Sequence, residues 1–234
     1  MAKNAHHEDA VFKAKRKPKA PIRFQLQLND EQKEAKSIIL DNPVTILKGM
    51  AGSGKTLVAT QVALDLLFRK EVEKVIITRP TVSKEDIGFL PGDIREKMDP
   101  WLAPIYHNLY ALYNKEKIDK EIELGNIEIV PFAFMRGRTF VKSFVIVDEA
   151  QNVTMSQMEM IATRIGLRSK MIVCGDDGQV DLKNSRDSGF RFLYKLGKKI
   201  KNFVSITLFE NHRDPIVDDL IEAYEEFYDK RKNK

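Results

Sequence analysis

Gly49-Met50-Ala51-Gly52-Ser53-Gly54-Lys55-Thr56 is the stretch that decides the fold. It matches G-x-x-x-x-G-K-[ST], the pattern of the phosphate-binding P-loop. An apolar run at residues 44–47 precedes it, and residues 57–68 carry apolar side chains at helical spacing without Gly or Pro. The sequence therefore predicts a strand, a phosphate-binding loop and a helix, in the order that the motif requires.

The residue types of this loop suit a nucleotide triphosphate. Its glycines allow positive φ and close approach of backbone N–H groups to phosphate oxygens, and the helix that follows adds its partial positive charge. Lys55 is predicted to contact the β- and γ-phosphates, and the Thr56 hydroxyl to hold Mg²⁺. A chance glycine-rich turn is the alternative, which the flanking strand and helix disfavour. We expect ATP and Mg²⁺ as cofactors, bound through Gly49, Met50, Ala51, Gly52, Ser53, Gly54, Lys55 and Thr56.

Composition favours one soluble domain. The 234 residues are 43% hydrophobic, enough to build one sizeable core. No apolar run is long enough to cross a bilayer and the N-terminus is charged, so we expect a cytoplasmic protein without membrane association. The single cysteine, Cys174, excludes an internal disulfide and a cysteine-rich zinc site.

The formal net charge of +5 is concentrated at the N-terminus. We predict a flexible basic tail at residues 1–25, one domain at residues 26–229 and a basic C-terminal tail at residues 230–234. The first tail either attracts nucleic-acid phosphates or serves as a solubilising leader. No metal role is expected for His6 and His7.

A second strong motif ends the apolar run at residues 144–147. Asp148 and Glu149 follow it directly, as in a Walker B element. Asp148 is predicted to join the Mg²⁺ shell, and Glu149 to orient and polarise the attacking water. The alternative, an Asp-Glu pair that merely marks a strand end, is disfavoured by the P-loop upstream.

Three further apolar runs, at residues 74–78, 171–174 and 204–208, also end in polar residues. Such buried runs predict a mostly parallel sheet in an α/β fold, in which ligands bind at the carboxyl ends of the strands. Gln179 is predicted to sense the γ-phosphate and Asp176 to support the metal or the water. Arg213 is predicted to neutralise charge on the γ-phosphate in the transition state. With Lys55 and Glu149, Gln179 and Arg213 form the predicted catalytic set.

Other stretches allow two interpretations. Arg136 and Arg138 flank a glycine, which suits phosphate contact but also an ordinary surface loop. The aromatic and aliphatic residues of 98–113 favour core or an oligomer contact over base stacking. Gln32 has the donor and acceptor needed to read adenine, yet alone it would be an ordinary helix residue.

Together these residues resemble the PhoH family of P-loop ATPases over residues 28–228. The stretches 88–93 (Gly-Phe-Leu-Pro-Gly-Asp) and 136–139 (Arg-Gly-Arg-Thr) are specific to that family beyond other P-loop proteins. Met50 replaces a common proline and Asp214 a usual histidine, and neither change removes a ligand. The other matching stretches are residues 28–32, the P-loop, 78–80, 99–101, 147–152, 175–176 with Gln179, 181–182 and Arg213 before Pro215.

The PhoH family is similar to the first RecA-like domain of superfamily 1 helicases. The resemblance implies a RecA-like three-layer P-loop NTPase fold in which Gln32 reads adenine, Gln179 contacts the γ-phosphate and residues 208–213 form an arginine motif. It implies contacts to single-stranded nucleic acid, RNA favoured, by Arg79, Arg136, Arg138 and Thr139. A second RecA-like domain is not expected, so the resemblance implies a homo-oligomer, a hexameric ring.

Three functions follow. The leading one is an ATPase coupled to single-stranded nucleic acid as a helicase or remodelling motor. An ATP-dependent switch that binds nucleic acid without unwinding is the second. The third is a nucleoside kinase of the thymidine-kinase type, which one cysteine disfavours because such enzymes usually carry a four-cysteine zinc lobe.

Overall fold

A computed structural model describes residues 22–80 and 94–232. Residues 1–21, residues 81–93 (which include Thr81 and the family-specific stretch at 88–93) and the last two residues lie outside the described part, as do the side chains of residues 94–101. The helices are α1 (Asp30–Asp41), α2 (Lys55–Phe68), α3 (Ile94–Leu112), α4 (Lys115–Glu123), α5 (Met155–Ala162), α6 (Gly189–Gly197) and α7 (Ile216–Lys232). The strands are β1 (Val44–Gly49), β2 (Lys74–Arg79), β3 (Ile127–Pro131), β4 (Ser143–Val147), β5 (Lys170–Gly175) and β6 (Phe203–Leu208).

The strands form one sheet in the order β3-β2-β4-β5-β1-β6. All the pairings are parallel, and β1 lies between β5 and β6. Leu47, for example, is aligned with Cys174 on one side and with Ile206 on the other. Because the strands are parallel, the loops that follow β1, β2, β4, β5 and β6 emerge at the same edge of the sheet.

The sheet is covered on both faces. Alternate strand residues point to opposite sides, so Leu47, Ile146 and Ile172 pack into a core with α1 to α4. Ile46, Val145 and Val173 pack into a second core with α5 and α6. The three layers confirm the predicted α/β fold with a P-loop between β1 and α2.

Residues just before the predicted boundary at residue 26 contact the core. Phe24 is buried, Ile22 packs against the same core, and the Gln25 backbone N–H donates to the Leu112 carbonyl oxygen at 3.0 Å. Ile22 and Phe24 therefore contribute to the core of the domain. At the other end, α7 continues to Lys232, beyond the predicted boundary at residue 229.

Helix α3 settles the two interpretations of its apolar stripe in favour of the core. Leu102, Ile105, Leu109 and Leu112 are buried, and the ring of Tyr113, just after the helix, contacts that of Phe68 with centroids 4.8 Å apart and an interplanar angle of 44°. In the part of the chain that the structure describes, no helix is both long and apolar enough to pass through a bilayer.

Candidate nucleotide site

The P-loop bridges the end of β1 and the start of α2, as its sequence predicts. Gly52 and Gly54 have φ values of 92° and 80°, which disfavour side chains. A Cβ atom on Gly52 would lie 2.7 Å from Asn211 Oδ1, and one on Gly54 would lie 2.6 Å from Gln32 Nε2. These two positions thus need glycine both for conformation and because other parts of the site lie against the loop.

The Lys55 side chain lies against the backbone of the P-loop. Its Nζ donates to the carbonyl oxygens of Gly49 and Met50, each at 2.8 Å. The ammonium group is thereby held at the mouth of the loop. An ammonium group in this place is a donor that phosphate oxygens could accept from.

Asp148 meets the P-loop at the end of β4. Thr56 Oγ1 donates a hydrogen bond of 2.6 Å to Asp148 Oδ1, and the Asp148 backbone N–H donates to the Thr78 carbonyl oxygen. Burial raises the pKa of Asp148, against the opposing effect of the Thr56 hydrogen bond. A buried carboxylate of this kind gains from a neighbouring cation.

The donor set fits Mg²⁺. A hydroxyl and a carboxylate oxygen are hard ligands, and Mg²⁺ in nucleotide sites usually takes one or two protein ligands, with water and phosphate oxygens as the others. Residues 22–80 and 94–232 contain no cluster of three or more His, Cys, Asp or Glu side chains that would form an all-protein metal cage. Thr56 and Asp148 are the side chains that would hold Mg²⁺ beside a bound nucleotide.

Glu149 has an unusual backbone conformation. It has φ 50° and ψ 39°, the left-handed region that non-glycine residues rarely adopt. Its carboxylate accepts a hydrogen bond of 2.6 Å from Gln151 Nε2 and lies 3.6 Å from Arg79 Nη2. The strained turn and these two partners aim the carboxylate at the mouth of the cavity described below.

Gln151 was not among the predicted site residues, although Asp-Glu-Ala-Gln stands plainly in the sequence. It is 1% exposed, and its Oε1 accepts a hydrogen bond of 3.1 Å from the Asp176 backbone N–H. The Gln151 amide thus joins Glu149, after β4, to the loop after β5. Next to it, Asn152 and Asp181 hydrogen bond reciprocally through the Asn152 amide.

A cavity of about 940 Å³ opens beside the P-loop. It is large enough for a nucleotide. Apolar side chains line one part, and the charged groups of the P-loop region line another. Residues of its wall include Leu26, Leu28, Gln32, Lys55, Glu149 and Arg213.

Gln32 faces this cavity with its amide orientation fixed. It is almost fully buried, and its Oε1 accepts from the Asn29 backbone N–H at 3.2 Å. Its Nε2 lies 3.0 Å from His212 Nε2. The sequence analysis missed Asn29 and His212 as partners of Gln32, since only Asn29 carries a local signal, that of a helix N-cap.

Arg213 lies beside the P-loop of its own chain. The His212 backbone N–H donates to the Gly52 carbonyl oxygen at 3.2 Å, and Arg213 Cγ is 2.9 Å from the position of a Cβ built on Gly52. Gln179, by contrast, is exposed in the loop after β5 and is not among the described residues that line the cavity. Asp176 is partly exposed, and its Oδ1 accepts from the Gly178 backbone N–H.

The four predicted nucleic-acid contacts fall into two groups. Arg136 and Thr139 are exposed. Arg79 pairs with Glu149, and Arg138 Nη2 donates to Glu128 Oε2 at 2.5 Å. Burial raises the pKa of Glu128, but hydrogen bonds from Lys74 and Arg138 outweigh it and lower the pKa. Arg138 is thus a member of an ion-pair cluster on β3.

Comparisons with known proteins show which family the chain resembles. The family model described as PhoH-like protein matches residues 26–225. The chain is 43% identical over 197 residues to a PhoH-like protein of Synechocystis sp. and 41% identical over 197 residues to a PhoH-like protein of Bacillus subtilis. These alignments cover 83% of this chain but 60% and 62% of the relatives, so the chain spans about three fifths of their length.

Solved structures are also similar to this chain. The crystal structure of Pif1 helicase from Candida albicans aligns with 84% of this chain and 43% of its own, at 17% sequence identity and a TM-score of 0.43.

Proposed function

Because this chain belongs to the PhoH-like protein family, we propose that it binds ATP and Mg²⁺ in the cavity beside the P-loop and hydrolyses ATP to ADP and inorganic phosphate. The observation that carries the proposal is the 2.6 Å hydrogen bond between Thr56 and Asp148. It brings the phosphate-binding loop and the acidic end of β4 together, with Glu149 at the next position.

The proposed reaction transfers the γ-phosphoryl group to water. Glu149 orients the water and takes up its proton as the water oxygen attacks the γ-phosphorus, and the bond to the bridging oxygen breaks so that ADP leaves. Thr56 and Asp148 would hold Mg²⁺, which would supply charge neutralisation at the phosphates. Lys55 and the P-loop N–H groups hold the same oxygens, and Arg213 offsets charge that develops on the γ-phosphoryl group. Gln179 stays a predicted γ-phosphate contact.

We further propose that hydrolysis is coupled to single-stranded nucleic acid, with RNA favoured, in a cytoplasmic helicase or remodelling motor. Arg136 and Thr139 are exposed next to β3, where they are accessible to a phosphate backbone. Arg79 lies at the end of β2 and reaches Glu149. A single-stranded nucleic acid whose phosphate contacts Arg79 would weaken the ion pair between Arg79 and Glu149. Nucleic-acid binding could in this way alter the environment of the Glu149 carboxylate and so affect hydrolysis.

The proposal includes a homo-oligomer, a hexameric ring, as the family resemblance implies. Helix α7 supports it, because Ile216, Leu220, Tyr224 and Phe227 follow helical spacing and are each more than half exposed. Such an apolar stripe is suited to contact with another subunit. Light scattering at micromolar protein, with an ATP analogue and single-stranded RNA, is expected to give a mass of six subunits, and a monomer would overturn the ring.

Phosphate release is the experiment that tests the activity. Wild type is expected to release phosphate from ATP only with Mg²⁺, and faster with single-stranded RNA than with single-stranded DNA. Lys55→Ala is expected to abolish release under each condition. Release without response to either nucleic acid would favour the ATP-dependent switch, and release unaffected by Lys55→Ala would place the activity elsewhere.

A further inference from the structure

We propose that Glu31 is a positioning residue that couples recognition of the base by Gln32 to the placement of Arg213 at the phosphates. The inference rests on the proposed function, and it concerns the contacts between the start of α1 and the loop that follows β6, residues 209–213. We call these residues the arginine loop.

Glu31 holds the backbone of the arginine loop with both carboxylate oxygens. Oε1 accepts from the Phe209 backbone N–H at 2.8 Å, and Oε2 accepts from the Glu210 backbone N–H at 3.2 Å. Hydrogen bonds to an ionised acceptor are stronger than neutral ones, and two of them fix orientation as well as distance. The loop is therefore tied to the first turn of α1.

Asn29 and Gln32, near Glu31 in the chain, also contact the arginine loop. Asn29 Nδ2 donates to Glu210 Oε2 at 2.5 Å, and Gln32 Nε2 lies 3.0 Å from His212 Nε2. The start of α1 therefore contacts the arginine loop at Phe209, Glu210 and His212. The loop in turn rests on the P-loop through the His212 backbone N–H and the Gly52 carbonyl oxygen, at 3.2 Å.

In the proposed complex, the adenine base of ATP hydrogen bonds to the Gln32 amide. The Asn29 backbone N–H fixes Gln32 Oε1 as an acceptor, which leaves one lone pair of that oxygen and one Nε2 hydrogen for a ligand. Adenine offers the matching N6 donor and N7 acceptor, whereas guanine presents an acceptor, O6, at the place of the N6 donor. Guanine presents two acceptors, O6 and N7, so the Gln32 amide can satisfy only one of them in either orientation, and turning it toward O6 also breaks the contacts to Asn29 and His212.

A nucleotide with guanine in place of adenine is therefore expected to disturb the arginine loop as well as to bind more weakly. A turned Gln32 releases His212, and His212 is the neighbour of Arg213 in the loop that Glu31 holds. Base identity is then expected to act on the turnover rate as well as on affinity. Such coupling requires a contact network with two arrangements. The occupant of the base site at Gln32 and that of the phosphate site at Arg213 must each favour one arrangement over the other.

Steady-state kinetics with ATP and GTP tests the role of Glu31. Glu31→Gln keeps the side-chain shape but leaves one oxygen acceptor for two backbone N–H groups. We expect kcat for ATP to fall about tenfold, the value for one lost charge-assisted hydrogen bond, with a smaller change in KM and a reduced preference for ATP over GTP. Asp30→Asn is the matched control, since Asp30 is in the same helical turn and pairs with Lys33. It is expected to change kcat less than twofold.

A double mutant shows whether Glu31 acts through Arg213. In the Arg213→Ala background, Glu31→Gln is expected to cause no further loss of kcat. Independent, multiplicative effects of the two substitutions would overturn the proposal. So would a Glu31→Gln enzyme that behaves like Asp30→Asn.

Hydrogen exchange separates this inference from the proposed hydrolysis. ADP is expected to slow amide exchange in the arginine loop of the wild type more than GDP does, and Glu31→Gln is expected to remove the difference. If the wild type releases no phosphate but shows this difference, the proposed activity fails and the coupling stands. Equal protection by ADP and GDP overturns the coupling, whatever the hydrolysis rate.

Discussion

Thr56 and Asp148 are 92 positions apart in the chain, and Thr56 Oγ1 donates a hydrogen bond of 2.6 Å to Asp148 Oδ1. The contact exists because β1 and β4 both flank β5 in a parallel sheet, so that their carboxyl ends meet. It places a hydroxyl and a carboxylate where one Mg²⁺ ion can bind both, directly or through water.

Asp148→Asn is predicted to separate activity from stability. Burial raises the pKa of Asp148 above its value of 3.8 in the unfolded chain, so the folded protein binds this proton more tightly. Stability contributed by the protonated group is therefore lost as the pH rises above 3.8 and the carboxyl ionises. At pH 7 the nucleotide-free variant is therefore expected to melt no lower than wild type, while Mg²⁺-dependent turnover is lost. Calorimetry and phosphate release check this, and a marked fall in melting temperature would contradict it.

Gln151→Leu tests the positioning of Glu149. The substitution removes the 2.6 Å hydrogen bond to Glu149 and leaves the Asp176 backbone N–H without its acceptor. Turnover is expected to fall about tenfold or more, because the carboxylate that we propose as catalytic loses its orientation, with ATP affinity within a few-fold of wild type. Equal losses in affinity and turnover would show that Gln151 serves binding instead.

Gly54→Ala is predicted to weaken ATP binding. The residue has φ 80°, and the new methyl group would lie 2.6 Å from Gln32 Nε2. Gly137→Ala is a matched control, since Gly137 has φ 78° but no atom within 4 Å of a built Cβ. Both variants are expected to lose about 1 kcal/mol of stability from the backbone conformation. Only Gly54→Ala is expected to weaken ATP affinity, by about tenfold, and equal affinities in a titration would contradict this.

Lys170→Met is predicted to change the pH dependence of stability. Lys170 is 4% exposed, and its Nζ donates to the carbonyl oxygens of Ile39, Leu40 and Asn42 at the end of α1. Burial lowers the pKa of Lys170 from 10.5 to about 8. Between these values the unfolded chain binds more protons, so the free energy of unfolding gains on the order of 2 kcal/mol from this group as pH rises. Urea unfolding at pH 8 and pH 10 is expected to show a smaller gain in Lys170→Met, and an identical gain would contradict the assignment.

Arg136→Ala and Arg138→Ala are predicted to differ. Arg136 is exposed, so its substitution is expected to weaken RNA binding, with a salt dependence reduced by about one ion, and to leave stability unchanged. Arg138→Ala also deprives Glu128 of a partner, and is expected to lower stability as well. Fluorescence titration at several salt concentrations and thermal melting distinguish the two, and identical behaviour would contradict the division.

Contiguous motifs were readable from the sequence. The P-loop and the pair Asp148 and Glu149 are local patterns whose residue types follow from the chemistry, and the structure brings them together. Glu31 and Gln151 were missed, since their roles depend on partners contributed by other loops. The Glu31 contacts span 178 and 179 positions, and only the order of the strands makes them adjacent. Phe24 was missed because its basic neighbours dominate the local composition, whereas its burial depends on α3.

Glu149→Gln tests the central claim most directly. The variant keeps the side-chain volume and loses the proposed base, so it is expected to bind ATP within about threefold of the wild-type affinity and to release phosphate at least about a hundredfold more slowly. ATP affinity and phosphate release are measured on the same preparations of both proteins. A Glu149→Gln protein that hydrolyses ATP at the wild-type rate would contradict the account.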